Sequence, residues 1–596
     1  MACGACVAAF PIVGRALGGW GHLRRYGTNL ANGISWASQV APRETVFLLL
    51  LATAGVAAIL ALSHGIRCLS PHGLWRAVSA FLFRSNRRLF LGVLMGAVIV
   101  STQLIGTGIL HHSPITDDEG VYLLQARIFA SGKLYVDSPE PREFFDNIFV
   151  VNNGRLYGQY PAGHPALLAV GVVLGEPWLI PSLLAAATLP LILGIGCELG
   201  DERTGRLAAL LLCVSPFFVL TSSTLLPGPS SLFFVCLAVW GSLRVGAGRG
   251  GLGTAFLASA AGGMAFLVHP PSATIFLLPV YLYLLLGPVR HMPRGRAKAA
   301  ALVAGGLVMI VAFLTLNKLQ NGGWLVTGYQ ALWGGKAAQL GVKTPFGFGT
   351  FLWGIKHTPA LGLRNTLVNL LRTDFWLFGS AVSLLPAVLG AWTTRQRAWT
   401  RIFLVSSAAT VALYFFYFWP GISDTGPVNY YLLLLPLVTF SALGLGTLTE
   451  RLELAPQAGR RRLPGAATAA LLIVAALTFW PVQLQALKAV GRAVSEPYRL
   501  LAAETVHNAL VFMPYYLNPE SPQSWVAGRR NNSPSLDDDV LYVRDLGPTR
   551  DAELMAMHPG RSAYLLLFRD GRPIVNRLRK PRRRSAGELA GFGRRQ

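Results

Sequence analysis

The sequence predicts an all-α polytopic membrane protein of about eleven or twelve transmembrane helices, with two long external loops and a small external C-terminal α/β domain. Three observations lead there. The 596-residue chain is 53% hydrophobic and only 13% charged, about half the charge of a soluble domain. Its apolar runs are long enough to cross a bilayer. Counted in order, the short loops rich in arginine and lysine fall on one side of the membrane, and both long loops fall on the other. A net charge of +25 could suggest nucleic acid. Most of the basic residues upstream of the tail sit in short turns between apolar runs, as the positive-inside bias requires, so no nucleic-acid partner is expected.

Residues 1–43 read as a leader without the charged start, apolar core and cleavage site of a signal peptide. Residues 44–66 contain Thr45–Ile66, an additional transmembrane helix. The core then runs over 67–490. Arg67, Arg76, Arg84, Arg87 and Arg88 place the next loop inside, and Leu89–Leu110 crosses outward. The first external loop covers 111–176. Trp178–Leu199 returns, Leu207–Ser222 goes out, Ser230–Val245 comes back, and Leu252–Val268 with Ser272–Leu286 turns at His269-Pro270-Pro271. Ala299–Leu316 leads to the second external loop, 317–373. Phe375–Trp392, Ile402–Trp419, Tyr430–Leu448 and Ala466–Leu487 complete the crossings. Residues 491–596 form an external soluble tail with strands near Val540–Val543 and Ala563–Phe568 and a basic end, Arg577–Arg584. There Asp537-Asp538-Asp539 opens a strand from a solvated turn. Of six cysteines, Cys3-x-x-Cys6 has no partner pair for a zinc site. The other four lie in or beside apolar runs, so no disulfide is expected outside.

The most acidic stretch, Ile115-Thr116-Asp117-Asp118-Glu119-Gly120, sits where a helix leaves the membrane. Carboxylates there must be solvated, paired or used. Thr116-x-x-Glu119 is a capping box, and Asp117 and Asp118 suit the first turn of a helix. That helix would run Asp117–Ser131, with Val121, Leu124, Ile128 and Phe129 against the membrane and Gly132 as its stop. Capping accounts for Glu119 and Asp117 without requiring a third carboxylate.

The second external loop carries Lys318, Lys336, Lys343, Lys356, Arg364 and Arg372, with Asp374 at its end. Leu361–Leu371 reads as an amphipathic surface helix. Anionic headgroups are one partner for these cations; a phosphate facing the acidic loop is another. An acidic and a basic loop on one face suit transfer of a sugar from a lipid phosphate. Cations stabilise the departing phosphate, and one carboxylate takes the acceptor's proton.

The order of apolar helix, Asp118-Glu119, Lys133-Leu134-Tyr135 and Tyr160-Pro161-x-x-His164-Pro165 resembles the C-superfamily (GT-C) of membrane glycosyltransferases, in the protein mannosyltransferase and aminoarabinose transferase group. The likeness is clearest over about residues 89–245. It implies a polyprenyl-phosphate sugar donor, inversion at the anomeric carbon and Asp118 as catalytic base, flanked by Asp117 and Glu119. Candidate substrate contacts are Tyr160, His164, His269 and Tyr430, together with Lys336, Lys343, Lys356 and Arg364 on the charge of the second external loop. The acceptor would be a glycan, lipid or protein hydroxyl or amine. The location would be the cell (inner) membrane, with the site on the external, periplasmic face. No metal ligands are assigned; a divalent metal is compatible and not required.

The chain departs from the family at Ala162, where relatives often have proline. It also departs at His269-Pro270 and Asn429-Tyr430, where some have arginine, so the loop cations would have to substitute. His164 and His269 each read equally as turn packing. The other functional class is a transporter or lipid-binding scaffold. It would be expected to place ionisable groups or broken helices near mid-membrane.

Overall fold

The computed structural model describes residues 81–339, 345–351, 356–453, 463–514, 532–569 and 572–578. In chain order the helices are α1 Arg87–Gly108, α2 Asp117–Ala130, α3 Gly163–Val173, α4 Leu179–Leu199, α5 Glu202–Val214 and α6 Pro216–Ser222. Next come α7 Gly228–Gly246, α8 Leu252–Val268, α9 Pro270–Leu286, α10 Gly295–Asn321, α11 Gly328–Gln339 and α12 Pro359–Phe378. The last six are α13 Leu385–Thr393, α14 Ala398–Phe415, α15 Leu434–Glu453, α16 Leu463–Leu477, α17 Phe479–Ala503 and α18 Pro548–Met557.

Among the described residues eight helical segments are long and apolar enough to cross a membrane, or nine if α5 and α6, bent by 57°, form one span. The chain is thus a multi-pass membrane protein. Thr45–Ile66 lies outside the described residues. Two expected crossings differ in form. At 17 residues α8 is shorter than the roughly 20 that a bilayer core needs. The expected helix Phe375–Trp392 is divided: α12 stops at Gly379, whose φ is 75°, and α13 starts six residues later. Asp374 accepts the Leu384 N–H at 2.8 Å, which holds the break. A side chain at Gly379 would meet Ala475 Cβ at 2.5 Å, so only glycine lets α16 approach there.

Two expected surface assignments are corrected. α2 does not lie along a lipid surface. Val121, Tyr122, Leu123, Leu124, Gln125, Ala126 and Ile128 are all buried, because α3 and a small sheet cover the helix. Gln125 makes this enclosure polar-competent: its carbonyl accepts the Gly158 N–H at 2.8 Å and its amide donates to the Leu134 carbonyl at 3.1 Å. The amphipathic stretch Leu361–Leu371 belongs to the longer α12, with its faces reversed. Asn365, Thr366, Asn369, Arg372 and Thr373 are buried, while Leu363 and Leu367 are exposed. The leucines point outward, and the protein takes the polar face.

The small sheet has the order β1-β3-β2, from Val136–Asp137, Val150–Asn152 and Arg155–Gly158. Two-stranded ribbons follow in the second external loop, β4 Gly349–Thr350 with β5 Lys356–His357, and near the last external turn, β6 Ile422–Ser423 with β7 Gly426–Pro427. The tail holds β8 Ala509–Met513, β9 Val540–Arg544, β10 Ser562–Arg569 and β11 Arg572–Arg577 in the order β11-β10-β8-β9. β8 is parallel to β9 and β10, and β11 is antiparallel to β10. The two expected strands are present; β8 and β11 were not foreseen.

The tail is docked on the first external loop. Phe144 is buried among Leu510, Phe512, Leu541, Val543, Leu554 and Met555, so a loop residue completes the tail's core. Arg550 pairs with Glu143, and Arg544 pairs with Asp146 at 3.4 Å.

Candidate active site

The N-terminus of α2 is built as its residues dictate. The Thr116 hydroxyl accepts the Glu119 N–H at 3.3 Å, so Thr116 caps α2, and the Glu119 carboxylate reaches back to the Ile115 N–H rather than to that of Thr116. Glu119 does more than cap. Its carboxylate is 1% exposed and accepts the Ile115 N–H at 3.3 Å, the Thr116 hydroxyl at 3.1 Å and the Leu225 N–H at 2.9 Å. Leu225 lies in the turn between α6 and α7, so this carboxylate joins two distant parts of the chain.

Asp117 and Asp118 are half-buried. Asp118 Oδ1 accepts the Tyr160 hydroxyl at 2.5 Å, a short charge-assisted bond. Tyr160 packs against Tyr122 with ring centroids 4.6 Å apart, Phe149 at 6.0 Å and Tyr329 at 5.8 Å. Burial raises the pKa of Tyr122, Tyr160, Tyr329 and Tyr417, and the Asp118 charge adds to the rise in all four. These phenols remain protonated donors or apolar walls around the carboxylate. Tyr122, Tyr329 and Tyr417 were not singled out by the sequence. They carry no motif of their own, and their placement depends on three separate segments converging.

His164 is fully buried. Its Nε2 lies 2.7 Å from the Leu225 carbonyl and its Nδ1 lies 2.9 Å from the Ser230 hydroxyl. A carbonyl can only accept, so Nε2 carries the proton and Nδ1 accepts from Ser230. Burial lowers its pKa to about 4. Gly163, at the start of α3, lies where a side chain would meet the Leu267 carbonyl at 2.6 Å. The glycine of the Tyr-Pro-Ala-Gly-His-Pro stretch therefore lets α3 touch the end of α8, just before His269.

The second external loop reaches the same place. The Trp333 indole N–H donates to Gln159 Oε1 at 2.7 Å. Arg155 donates to the Leu319 carbonyl at 3.1 Å, and Gln320 to the Leu134 carbonyl at 3.1 Å. α11 is thus laid over Gln159-Tyr160, with Tyr329 against Tyr160. Lys336 lies within α11. Lys343 lies outside the described residues. Lys356 is exposed in β5. Arg364 is in α12, and its Nη2 is buried with no hydrogen-bond partner among the described residues.

The remaining expected contacts sit nearby in the fold. His269 immediately precedes α9 with φ −150°, and its Nδ1 is buried without a hydrogen-bond partner among the described residues. One turn on, Ser272 is hydrogen bonded to the Tyr414 hydroxyl. Tyr414 packs against Tyr417 at 5.8 Å and against the buried Tyr430 at 6.2 Å. The structure thereby brings together Asp118, Tyr160 and α11, and connects the His269 and Tyr430 turns through Tyr414 and Tyr417. Among the described residues no group of three or more His, Cys, Asp or Glu side chains is placed to hold a metal ion.

No protein-family model matches the chain, and no curated protein sequence matches it. Solved structures do. ArnT from Cupriavidus metallidurans bound to undecaprenyl phosphate aligns with a TM-score of 0.51 at 14% identity, covering 82% of this chain and 97% of that one. The apo state of the same protein gives 0.49 at 15% identity, over 82% and 96%. The apo Archaeoglobus fulgidus oligosaccharyltransferase gives 0.42 at 12% identity, over 79% and 69%. The first of these shows that the chain shares that protein's fold.

Proposed function

We propose that the protein is a membrane glycosyltransferase that moves a sugar from a polyprenyl-phosphate donor to an acceptor hydroxyl or amine on the external face. The observation that carries this is the half-buried Asp118, held by Tyr160 and ringed by phenols at the membrane exit of α1. The fold supports the same reading: a solved structure sharing it is described as bound to undecaprenyl phosphate.

In this reaction the acceptor oxygen or nitrogen attacks the anomeric carbon from the face opposite the phosphate. The new glycosidic bond forms as the bond to the phosphate oxygen breaks, which inverts the centre. The polyprenyl phosphate leaves with the electron pair, and Asp118 takes the acceptor's proton. Tyr160 donates to Oδ1 and holds the carboxylate in place. Cations and donors from the second external loop and its neighbours, Lys336, Lys343, Lys356, Arg364, His269 and Tyr430, are the pool for the donor phosphate. The buried, unpartnered Nη2 of Arg364 and Nδ1 of His269 fit that use, because a buried polar group without a partner is unfavourable by about 1–3 kcal/mol.

The test incubates membranes carrying the protein with labelled polyprenyl-phosphate sugars and follows release of the polyprenyl phosphate and label transfer. Transfer that is lost in Asp118→Asn is expected. Donor binding without transfer by the unaltered protein would favour a lipid-binding scaffold instead. Replacing a true phosphate ligand among the four loop cations by Gln should lower turnover by roughly 100- to 1,000-fold. Four silent replacements would move the phosphate site to His269.

A further inference from the structure

Leu225 is gripped on both of its backbone groups. Its N–H donates to Glu119 Oε2 at 2.9 Å, and its carbonyl accepts from His164 Nε2 at 2.7 Å. The two side chains come from the two motifs of the first external loop, whereas Leu225 belongs to the turn that follows the bent α5–α6 pair. The contacts close into a circuit. Asp118 and Glu119 are adjacent in the chain, Glu119 holds Leu225, and Leu225 is held by His164. The His164 ring meets the Tyr122 ring edge-on at 4.9 Å, Tyr122 packs on Tyr160 at 4.6 Å, and Tyr160 donates back to Asp118 at 2.5 Å. Every member of this circuit is buried or half-buried.

We propose that Glu119 and His164 are positioning residues that act as one clamp on Leu225, fixing the 222–227 turn against α2 and so fixing the Asp118 carboxylate. This rests on the glycosyltransferase reading for its catalytic consequence, though not for the clamp itself. The chemistry of the two side chains fits the task. An ionised carboxylate can accept three donors at once, as Glu119 does; a glutamine has one acceptor oxygen, and its amide would oppose a backbone N–H. Neutral histidine supplies one donor and one acceptor, which matches the Leu225 carbonyl and the Ser230 hydroxyl. Capping alone would need neither Leu225 nor His164, since it involves only Thr116, Ile115 and Glu119 at the start of α2.

Hydrogen exchange over a peptide spanning 220–230, measured by mass spectrometry on the full-length protein in detergent, reads the clamp directly. Glu119→Gln and His164→Asn are expected to speed exchange of the Leu225 amide by at least about tenfold, since each removes one of the two grips. His164→Gln keeps a donor at the Nε2 position and should exchange much more slowly than His164→Asn. Ser230→Ala, which leaves both Leu225 bonds, should match the unaltered protein. Where transfer is measurable, Glu119→Gln and His164→Asn should lower kcat about tenfold with little change in KM, and the double variant should be no worse than the poorer single one.

Unchanged exchange in both Glu119→Gln and His164→Asn overturns the proposal. So does equal behaviour of His164→Gln and His164→Asn, or acceleration in Ser230→Ala, which would mean general loosening. If Glu119→Gln does not fold, the two His164 variants decide alone. A protein that transfers no lipid-linked sugar would count against the enzyme reading, while the exchange result still decides the clamp.

Discussion

Asp118 and Glu119 are neighbours in the chain with opposite surroundings, and their substitutions should separate accordingly. Glu119 is enclosed by donors, so its carboxylate has no capacity left for a substrate proton. Asp118 has one oxygen bound to Tyr160 and is half-buried beside Asp117. Asp118→Asn keeps size and the ability to accept from Tyr160, but cannot take a proton at neutral pH. It should fold and insert while transfer falls about 100- to 10,000-fold. Asp117→Asn should be intermediate, and Glu119→Gln milder than Asp118→Asn; rates normalised to folded protein in detergent make the comparison. An inactive Asp117→Asn beside an active Asp118→Asn would move the base one residue earlier. His164 gives a separate pH prediction. Its folded pKa is lowered from 6.5 to about 4 by burial, so the unfolded chain takes up a proton that the folded one refuses. Stability is therefore unaffected above pH 6.5, declines as pH falls from 6.5 toward 4, and is lower by about 3 kcal/mol once that range is crossed. Thermal unfolding in detergent between pH 7 and 4 should show this acid branch, and His164→Gln should lack it. The acidic pair and the His-Pro element were legible in sequence because short motifs carry them. Tyr329 and Tyr417 were not, because nothing local marks a tyrosine that reaches a carboxylate from a distant loop.

At the scale of elements, the capped α2 was legible to within a residue: Thr116, Glu119 and Gly132 are start and stop signals with local causes. What covers α2 was not legible, since periodicity identifies an apolar face without naming the solvent or partner it meets. α12 makes the same point in reverse. Its leucines and polar residues alternate correctly for an amphipathic helix, yet the leucines face out and Asn365, Thr366, Asn369 and Arg372 face in. The attachment of the tail to the first external loop is a further element-level device, and magnitudes decide what holds it. The Arg550–Glu143 pair is 44% and 42% exposed, so it is worth about 0–1 kcal/mol after screening. Phe144 is 1% exposed inside the tail's own cluster, and truncating a buried phenylalanine costs about 3–5 kcal/mol. Phe144→Ala should therefore open the 509–577 sheet to hydrogen exchange and proteolysis, whereas Arg550→Ala should leave both nearly unchanged. Equal effects would mean that charge, not the buried ring, fastens the tail.

At the scale of the whole molecule, the positive-inside bias predicts one arrangement of every loop, and the fold makes that prediction sharper. The tail touches the first external loop through Phe144, Glu143 and Asp146. The second external loop touches it through Trp333, Gln320 and Tyr329. Contacts of this kind cannot cross a bilayer, so all three segments must share one side whichever side that is. The short turns are on the other: Arg206 reaches Glu202 and the Leu82 and Ser85 carbonyls, and Arg397 donates to the Leu199 carbonyl at 2.7 Å, which gathers the 82–85, 199–206 and 394–397 segments at one end. Two independent arguments, charge bias and contact, therefore assign the same two faces. Single cysteines at exposed positions in a background with the native cysteines replaced by serine test both at once. Lys133→Cys and Met557→Cys should react with an impermeant thiol reagent added to intact cells, and Gln396→Cys should react only after permeabilisation. The reverse pattern would leave the contacts standing and turn the molecule over, placing the Asp118 site on the inner face. A split between Lys133→Cys and Met557→Cys would contradict the docking of Phe144 itself. That outcome would detach the tail from the site, while the Asp118–Tyr160 bond and the Leu225 clamp, which involve no tail residue, would be untouched.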